Sequence, residues 1–322
     1  MRTGNVAEKA FAEGVAAEIK NYFPPEYDNM ECEVLQQLKD NGVKQTGIRF
    51  SMPDQRISPV FYVGSCYQEV QQGKPLEEIM RSIAETVQSA MEQPDPSLGI
   101  DFNDYGAVQD FLSFKLINTK ANRQMLSELP HKEIEDLSLI CILKLPADET
   151  DKIGCLSVTY KMAEEWGISG EELYQAAMEN VQKKEKPVMQ KITDVIMQCI
   201  GLEGDNGSRS AEDTDEPAIY VLSNESGVFG AAIMAYPGTM DEISQKFPEG
   251  FYILPSSVHE VVILPQGGKM NPKEMGEMVR EINKDHVFRS DFLSDRVYEY
   301  DKEHQKIRQI PESIEREAAM ER

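Results

Sequence analysis

The chain has 322 residues, of which 40% are hydrophobic and 28% charged, and these ordinary globular values exclude wholesale disorder. It carries 33 basic and 56 acidic residues, giving a formal net charge of −23. That charge disfavours binding to DNA, RNA or an anionic membrane, and its simplest role is solubility. The alternative is an acidic surface that attracts basic partners or imitates nucleic acid, an interpretation that depends on net charge alone.

The five cysteines are scattered and include no CxxC pair, so the sequence predicts neither a zinc ribbon nor a thioredoxin-type motif. The first residues lack the apolar segment of a signal peptide. No apolar stretch approaches the ~20 residues that span a bilayer. We therefore expect a cytoplasmic protein with reduced thiols and no membrane contact.

Residues 1–95 predict a first unit with a helix, three strands and a second helix. Apolar residues recur at helical spacing over residues 6–23, and two prolines end that helix. Three strand-like runs follow, and Asn41-Gly42 is a strong hairpin signal between the first two. Pro75 then opens the second helix.

Residues 104–201 predict a middle module. The run "FLSFKLIN" predicts a strand, "ANRQMLSEL" a helix, and "LSLICILKL" and "GCLSVTY" two further strands. Ser169 and Glu172 have the spacing of a capping box for the next helix, and a last helix is predicted over residues 188–200. The polar, acidic residues 202–216 predict a flexible linker.

Residues 217–305 predict a C-terminal module, and residues 306–322 a charged tail. Thr239 and Glu242 have capping-box spacing for the first helix of this module, and Asn271 is a good N-cap for the second. Its strands are predicted at residues 218–224, 230–236, 251–254, 260–264 and 296–300.

The middle and C-terminal modules share one order of elements, namely strand, helix, two strands and helix. This order suggests that a β-α-β-β-α module is repeated within the chain. Short turns between neighbouring strands imply mainly antiparallel sheets with helices packed on one face. The predicted fold class is therefore α+β.

His259-Glu260 invites comparison with the HExxH helix of zinc proteases, in which two histidines one turn apart bind the metal. Ile263 occupies the position of the second histidine, so one ligand is missing. The β-branched residues of "EVVIL" also favour a strand over a helix. With four histidines in all and no ligand spacing, the sequence predicts no metal site.

Ser256, Ser257 and His259 are weak candidates for a hydrolase site, with a carboxylate such as Asp295 supplied from elsewhere in the chain. No G-x-S-x-G elbow and no glycine-rich oxyanion turn accompany these serines. The favoured interpretation is a polar turn, with His259 at the start of a strand.

Cys66 follows a predicted strand at the start of a helix, a setting that could lower the pKa of its thiol and make it a nucleophile. The favoured interpretation is a small side chain packed at a helix start. Neither G-x-G-x-x-G nor a Walker lysine is present, so no nucleotide and no other cofactor is predicted.

Six stretches spread along the chain together carry a resemblance: "VLQQLKDNGVKQTGI", "ISPVFYV", "FKLINTKANRQMLSELPHKEIEDLSLI", "WGISGEELYQAAMEN", "FYILPSSVHEVVILP" and "LSDRVYEYD". They resemble a domain-of-unknown-function family found mainly in anaerobic gut Firmicutes. More distantly, "WGISGEELYQAAMEN" and "LSDRVY" resemble the YtpQ-like proteins of bacilli. The resemblance runs from about residue 6 to 301 and implies a bacterial cytoplasmic protein of mixed α/β structure, with no assigned catalytic residue.

None of the zinc-protease, hydrolase, cysteine-nucleophile or nucleotide-binding motifs considered above is complete in this sequence. The sequence therefore favours a non-enzymatic protein-binding or regulatory module, whose sheet face or cleft meets an unknown protein partner. Two alternatives stay open: a hydrolase with a site around Ser256, Ser257 and His259, and an acidic decoy for nucleic-acid-binding proteins.

Overall fold

The structure is a computed structural model and describes residues 2–53, 58–92, 100–147, 153–199, 218–255, 257–267 and 271–311. The chain divides into two compact units, Met1–Gly99 and Ile100–Arg322. The linker predicted at residues 202–216 lies outside the described residues.

The first unit has a three-stranded antiparallel sheet in the order β1-β2-β3, and its helices contribute to one apolar core. The hairpin predicted at Asn41-Gly42 is confirmed, and both residues have positive φ, 58° and 67°. The core residues include Ile48 and Phe50 of the sheet and Ile83 of the last helix. The elements are α1 (Arg2–Glu18), β1 (Glu31–Leu38), β2 (Lys44–Ser51), β3 (Val60–Tyr62), α2 (Gly64–Gln71) and α3 (Leu76–Glu92).

The second unit contains the middle and C-terminal modules. Its elements are α4 (Tyr105–Val108), β4 (Leu112–Asn118), α5 (Arg123–Leu126), β5 (His131–Ile134), β6 (Leu137–Ala147), β7 (Ile153–Ser157), α6 (Tyr160–Glu165), α7 (Gly170–Lys184), β8 (Pro187–Lys191), α8 (Ile192–Cys199), β9 (Tyr220–Asn224), α9 (Thr239–Lys246), β10 (Phe251–Leu254), β11 (Val261–Pro265), α10 (Pro272–His286), β12 (Tyr298–Asp301) and β13 (Lys306–Gln309).

Two sheets organise this unit, and every strand pair in the described ranges is antiparallel. The four-stranded sheet has the order β4-β6-β5, with β7 also paired to β6, and the six-stranded sheet has the order β13-β12-β10-β11-β9-β8. The α+β class predicted from the sequence is confirmed.

The two modules share a strand arrangement that supports the suggested repeat. In each module the first strand pairs with the third and the third with the second, giving β4-β6-β5 in one and β9-β11-β10 in the other. A helix separates the first two strands in both modules, α5 in the middle module and α9 in the C-terminal one. Each module thus has a split β-α-β arrangement.

One large apolar core joins the two modules. Leu116, Leu139 and Leu173 from the middle module belong to the same buried cluster as Ile253 and Ile263 from the C-terminal module. The burial of this shared apolar surface is the main force that keeps the modules together.

The helices of the C-terminal module lie on both faces of the six-stranded sheet, which differs from the predicted packing on one face. Ile243 of α9 belongs to the large cluster with Ile253, whereas Val279 of α10 packs in a separate cluster with Leu254 and Leu264. Successive strand residues point to opposite faces, so Ile253 and Leu254 necessarily serve different cores.

The helix starts predicted at Ser169 and Asn271 are confirmed. Both residues form capping boxes with the glutamate three residues later, Glu172 and Glu274. The capping box predicted for Thr239 is wrong, because α9 begins at Thr239 itself after Gly238, which has a φ of 82° and ends a turn.

Three other segments differ from their predictions. The strand predicted at residues 230–236 is a 3₁₀ helix, Gly230–Ala235, whose small residues pack into the large core. The helix predicted over residues 188–200 begins with a strand instead, because residues 187–191 pair with β9. Lys306–Gln309, placed by the sequence in the charged tail, pair with β12 as β13.

Gly230 is the position where the 3₁₀ helix approaches neighbouring backbone most closely. A Cβ at this residue would lie 2.1 Å from Ser223 Oγ, 2.6 Å from the His259 carbonyl oxygen and 2.7 Å from the Asn224 nitrogen. Two of these neighbours are backbone atoms of the six-stranded sheet or its loops, which cannot rotate away as a side chain does.

We predict that Gly230→Ala lowers the free energy of unfolding by about 1–3 kcal/mol or more, because the new methyl group overlaps backbone. Urea denaturation followed by circular dichroism measures the change. Gly170→Ala is the matched control, since its Cβ meets only Pro130 Cβ at 3.9 Å, and we expect a change within about 0.5 kcal/mol. Equal losses in the two variants would contradict the prediction.

Candidate functional site

The predicted hydrolase residues lie between β10 and β11. Ser256 falls outside the described residues. Ser257 is buried, its hydroxyl donates to Glu260 Oε1 at 2.8 Å, and its oxygen accepts the backbone N–H of His259 at 3.1 Å. The hydroxyl proton of Ser257 is therefore directed at Glu260 and not at the His259 ring.

The His259 ring contacts Phe229 on the 3₁₀-helix side. Its Nδ1 accepts the backbone N–H of Phe229 at 3.4 Å, and the two rings stack with centroids 5.8 Å apart. Its Nε2 lies 4.0 Å from Asp291 Oδ2, and Asp295 is instead bonded to Asn283. A nucleophile and its base need hydrogen-bond contact of about 2.6–3.2 Å, so the structure does not assemble a triad from these groups.

Cys66 lies in α2 and is buried. Burial, followed by the nearby Glu69 carboxylate, raises the pKa of the Cys66 thiol. A thiol that holds its proton is a poor nucleophile, so this environment favours the structural interpretation of Cys66.

A polar cluster missed by sequence reasoning lies at the end of α7 and centres on the carboxylate of Glu185. Oε1 accepts from Ser113 Oγ at 2.9 Å and from Lys144 Nζ at 3.1 Å. Oε2 accepts from the Tyr236 hydroxyl at 3.0 Å and from Asn224 Nδ2 at 3.4 Å. The donors come from both modules, so this carboxylate links the modules through polar contacts as well.

The Lys144–Glu185 ion pair is nearly buried, with side-chain exposures of 14% and 11%. Lys144 Nζ also donates to Ser226 Oγ at 3.0 Å and to the Val228 carbonyl at 3.3 Å. The Lys144 ammonium group therefore donates to three acceptors at once. The chemistry of the cluster is that of a satisfied structural network.

A cleft of about 310 Å³ opens beside this cluster. Lys184 and Glu185 at the end of α7 line one side of the cleft, and Asn224 lines another. Because Asn224 pairs with Pro187, the cleft lies at the first residue of β8.

A second polar link between the modules involves Asp136 of the β5–β6 turn. Its carboxylate accepts from Ser294 Oγ at 2.9 Å and from the Tyr298 hydroxyl. Tyr298 and Ser294 are fully buried. Burial, followed by Asp136, raises the pKa of Tyr298, and burial, followed by Glu185, raises that of Tyr236.

A larger cleft, of about 580 Å³, lies near the β12–β13 hairpin. The Tyr300 hydroxyl donates to Asp241 Oδ1 at 2.6 Å there, and burial together with Asp241 raises the pKa of Tyr300 to about 12. Glu133 and Glu135 also line the cleft. Three carboxylates therefore line this cleft, together with Lys306.

An exposed surface begins where the first cleft ends. Among the strands that the structure describes, β8 pairs only with β9, so β8 is an edge strand. The next helix, α8, exposes 54% of Ile196 and 43% of Met197. We define the β8 surface as Lys186, strand β8, and the exposed side chains of Ile196 and Met197.

The sequence carried a signal for only part of these features. Lys144 is a single charge in the apolar run "LSLICILKL", and such a residue in a buried strand requires a partner. Glu185, in "QKKEKP", resembles any solvated charged segment. The β8 strand was missed because Val188, Val195 and their apolar neighbours also fit helical spacing.

Neither a metal-binding cluster nor a membrane-spanning helix occurs in the residue ranges that the structure describes. No group of three or more histidine, cysteine, aspartate or glutamate side chains there could hold a metal ion. No helix in the same ranges is both long and apolar enough to cross a membrane.

We predict that Glu185→Gln lowers the free energy of unfolding by about 3–5 kcal/mol, because it leaves the buried Lys144 ammonium without its counter-charge. Glu179→Gln on the same helix is the control, since Glu179 is exposed, and should change stability by less than about 0.5 kcal/mol. The double variant Lys144→Met/Glu185→Leu should recover part of the loss. Urea denaturation tests all three, and similar losses for the two single variants would contradict the role of the pair.

We also predict that stability falls as pH rises above about 10. Tyr236 and Tyr298 keep their protons in the folded chain, whereas tyrosines of the unfolded chain release theirs near pH 10. The unfolded state then binds fewer protons, so the free energy of unfolding decreases with pH. Urea midpoints at pH 8 to 11 measure the slope. Tyr298→Phe should make it shallower, whereas Tyr160→Phe, at an exposed tyrosine, should not; equal slopes would refute the assignment.

Comparison with curated proteins and with solved structures gives no match. The model of a family of unknown function, DUF5688, matches residues 8–302, which is most of the chain. The resemblance to a domain-of-unknown-function family is thereby confirmed at the level of the family. The chain belongs to the DUF5688 family.

Proposed function

We propose that this chain is a non-enzymatic protein-binding module that acts through its β8 surface. The observation that carries the proposal is a strand edge with no partner among the described strands, followed directly in the chain by a short helix with exposed apolar side chains. An edge strand offers backbone donors and acceptors to an added strand, and adjoining apolar side chains supply contact area.

The register of β8 identifies which backbone groups are available. The backbone N–H of Ile192 donates to the Ile219 carbonyl at 2.9 Å, which makes these two residues a hydrogen-bonded pair. In an antiparallel ladder such pairs alternate with pairs that turn their groups away from the partner strand. The N–H and C=O groups of Met189 and Lys191 therefore point away from β9 and towards a further strand.

The apolar part of the surface belongs to α8. This helix has only eight residues, and Ile196 and Met197 are exposed on it. An isolated helix of this length is unstable in water, and exposed apolar side chains beside a strand edge mark an interaction surface. A partner that covers them would stabilise both the helix and the edge.

The hydrolase alternative has less support. The Ser257 hydroxyl is hydrogen-bonded to Glu260, and His259 Nε2 is 4.0 Å from Asp291 Oδ2. The acidic-decoy alternative is supported by net charge alone. Neither has the continuous contact surface that supports the binding function.

A bacterial cytoplasmic setting is part of the proposal. It is supported by the sequence resemblance described above, of six stretches to a family of gut Firmicutes and of two of these stretches to the YtpQ-like proteins. The scattered cysteines agree with a reducing compartment, and Cys66 and Cys141 are buried free thiols.

We predict that Ile196→Glu/Met197→Glu loses a protein partner that the wild type retains. Two buried charges at the contact would reduce retention by at least about tenfold, because an unpaired charge in an interface is costly. Quantitative mass spectrometry of proteins captured from lysate of the source cells measures retention. Circular dichroism verifies that the variant is folded.

Ile282→Glu/Phe288→Glu is the matched control, because it places the same charges on two other exposed apolar residues of the second unit. It should retain the partner. A photo-crosslinking amino acid at position 196 then identifies the peptide in contact. An identical set of captured proteins for all three forms would remove the support for the β8 surface.

A further inference from the structure

Lysines are concentrated at and just before the β8 surface, although the chain as a whole is strongly acidic. Lys183, Lys184, Lys186 and Lys191 all fall within the stretch from the end of α7 to the end of β8, and all are exposed. The acidic residue among them, Glu185, is turned inward and paired with Lys144. The exposed charge of this stretch is therefore positive in a protein whose net charge is −23.

The positive charge is available to a partner. Within the described ranges, Lys183, Lys186 and Lys191 make no ion pair, and Lys184 donates to the backbone carbonyl of Asp110 at 2.6 Å. Lys186 immediately precedes β8 and Lys191 is its last residue. A strand added to this edge would have a lysine close to each of its ends.

We infer that the partner of the β8 surface is an extended peptide segment rich in acidic and apolar residues, added to β8 as a seventh strand of the six-stranded sheet. This inference rests on the proposed function and specifies its partner. Its acidic side chains pair with Lys186 and Lys191, its apolar side chains contact Ile196 and Met197, and its backbone bonds the outward groups of Met189 and Lys191.

The same lysines disfavour a second copy of this chain as the occupant. An antiparallel pairing of two β8 strands centred on Met189 would place Lys191 of each copy opposite Pro187 of the other, with Lys186 one residue beyond it. Such a pairing would bring four lysines to one joined edge, and lysine and proline at a strand edge disfavour self-pairing. Pro187 adds to this effect because it has no N–H to donate.

An anionic membrane is the other rival occupant, and it is less well matched. A lipid surface cannot satisfy the outward N–H and C=O groups of Met189 and Lys191, whereas a peptide backbone can. The apolar face of α8 is short and adjoins Asp194 on the same helix, and the acidic chain is repelled by anionic headgroups.

The test uses the full chain and fluorescein-labelled peptides of about ten residues in which pairs of Glu alternate with pairs of Val, so that both faces of the added strand carry carboxylates; Lys–Val and Gln–Val peptides of the same order are the comparisons. Fluorescence anisotropy measures the dissociation constants. We expect the Glu–Val peptide to bind most tightly, and to weaken several-fold between about 50 and 300 mM NaCl because exposed charges are screened. No binding of the Glu–Val peptide, or equal binding of all three, overturns the inference.

Two pairs of variants locate the contacts. Lys186→Glu/Lys191→Glu should weaken the Glu–Val peptide at least about tenfold and improve the Lys–Val peptide, whereas Lys120→Glu/Lys302→Glu, with the same charge change on other elements, should do neither. Met189→Pro removes an outward N–H without touching the β9 ladder, so it should abolish binding in a folded protein. Met189→Ala, which loses the side chain but keeps the N–H, should retain it.

The outcomes separate this inference from the proposed function. One outcome is that partner capture requires Ile196 and Met197 while the affinity for the Glu–Val peptide is the same in the lysine variants and the wild type. In that case the binding function stands, and the inference of an acidic partner is wrong. If sedimentation shows a dimer that Met189→Pro dissociates, the occupant is a second copy. If vesicles with anionic lipid bind the chain and Lys186→Glu/Lys191→Glu releases them, the occupant is a membrane, and either result overturns the inference.

Discussion

The carboxylate of Glu185 fixes how the two modules of the second unit are arranged, because it accepts hydrogen bonds from groups that lie far apart in the chain. Ser113 and Lys144 reach it from the middle module, and Asn224 and Tyr236 from the C-terminal module. A buried charge with this many donors is tolerated only when all of them are in place. The hydrogen bonds of Glu185 therefore fix the position of each module relative to the other. Burial of the apolar core between the modules offsets the free energy needed to desolvate this carboxylate.

The same residue fixes the start of β8. Glu185 is the C-cap of α7, and Pro187 begins the strand, so only Lys186 separates the buried carboxylate from the exposed edge. This placement turns Lys186 outward while Glu185 turns inward, which is how an acidic protein presents a locally positive strand. Position along the chain thus gives this edge a local charge opposite in sign to that of the protein as a whole.

Short sequence patterns predicted those elements whose stabilising contacts lie within a few residues of each other in the chain. The capping box of Ser169 and the Asn41-Gly42 turn each depend on neighbours within a few residues, and both were found where the sequence indicated. The 3₁₀ helix at Gly230 and the strand at Val188 depend on close approach to distant backbone, which no short window contains. The acceptor of the Lys144 charge could not be predicted either, because many carboxylates in the sequence were equally available and only tertiary packing selects Glu185.

The short distance along the chain between buried Glu185 and the β8 edge links binding at the edge to the resistance of the protein to degradation. A partner that holds β8 in place also holds the strand end next to Glu185, so occupancy of the edge adds to the free energy that keeps the two modules together. Cellular proteases act on the small population in which such modules separate. Under the proposed function, the abundance of the protein would therefore follow that of its partner, because copies without a partner would be removed first by turnover.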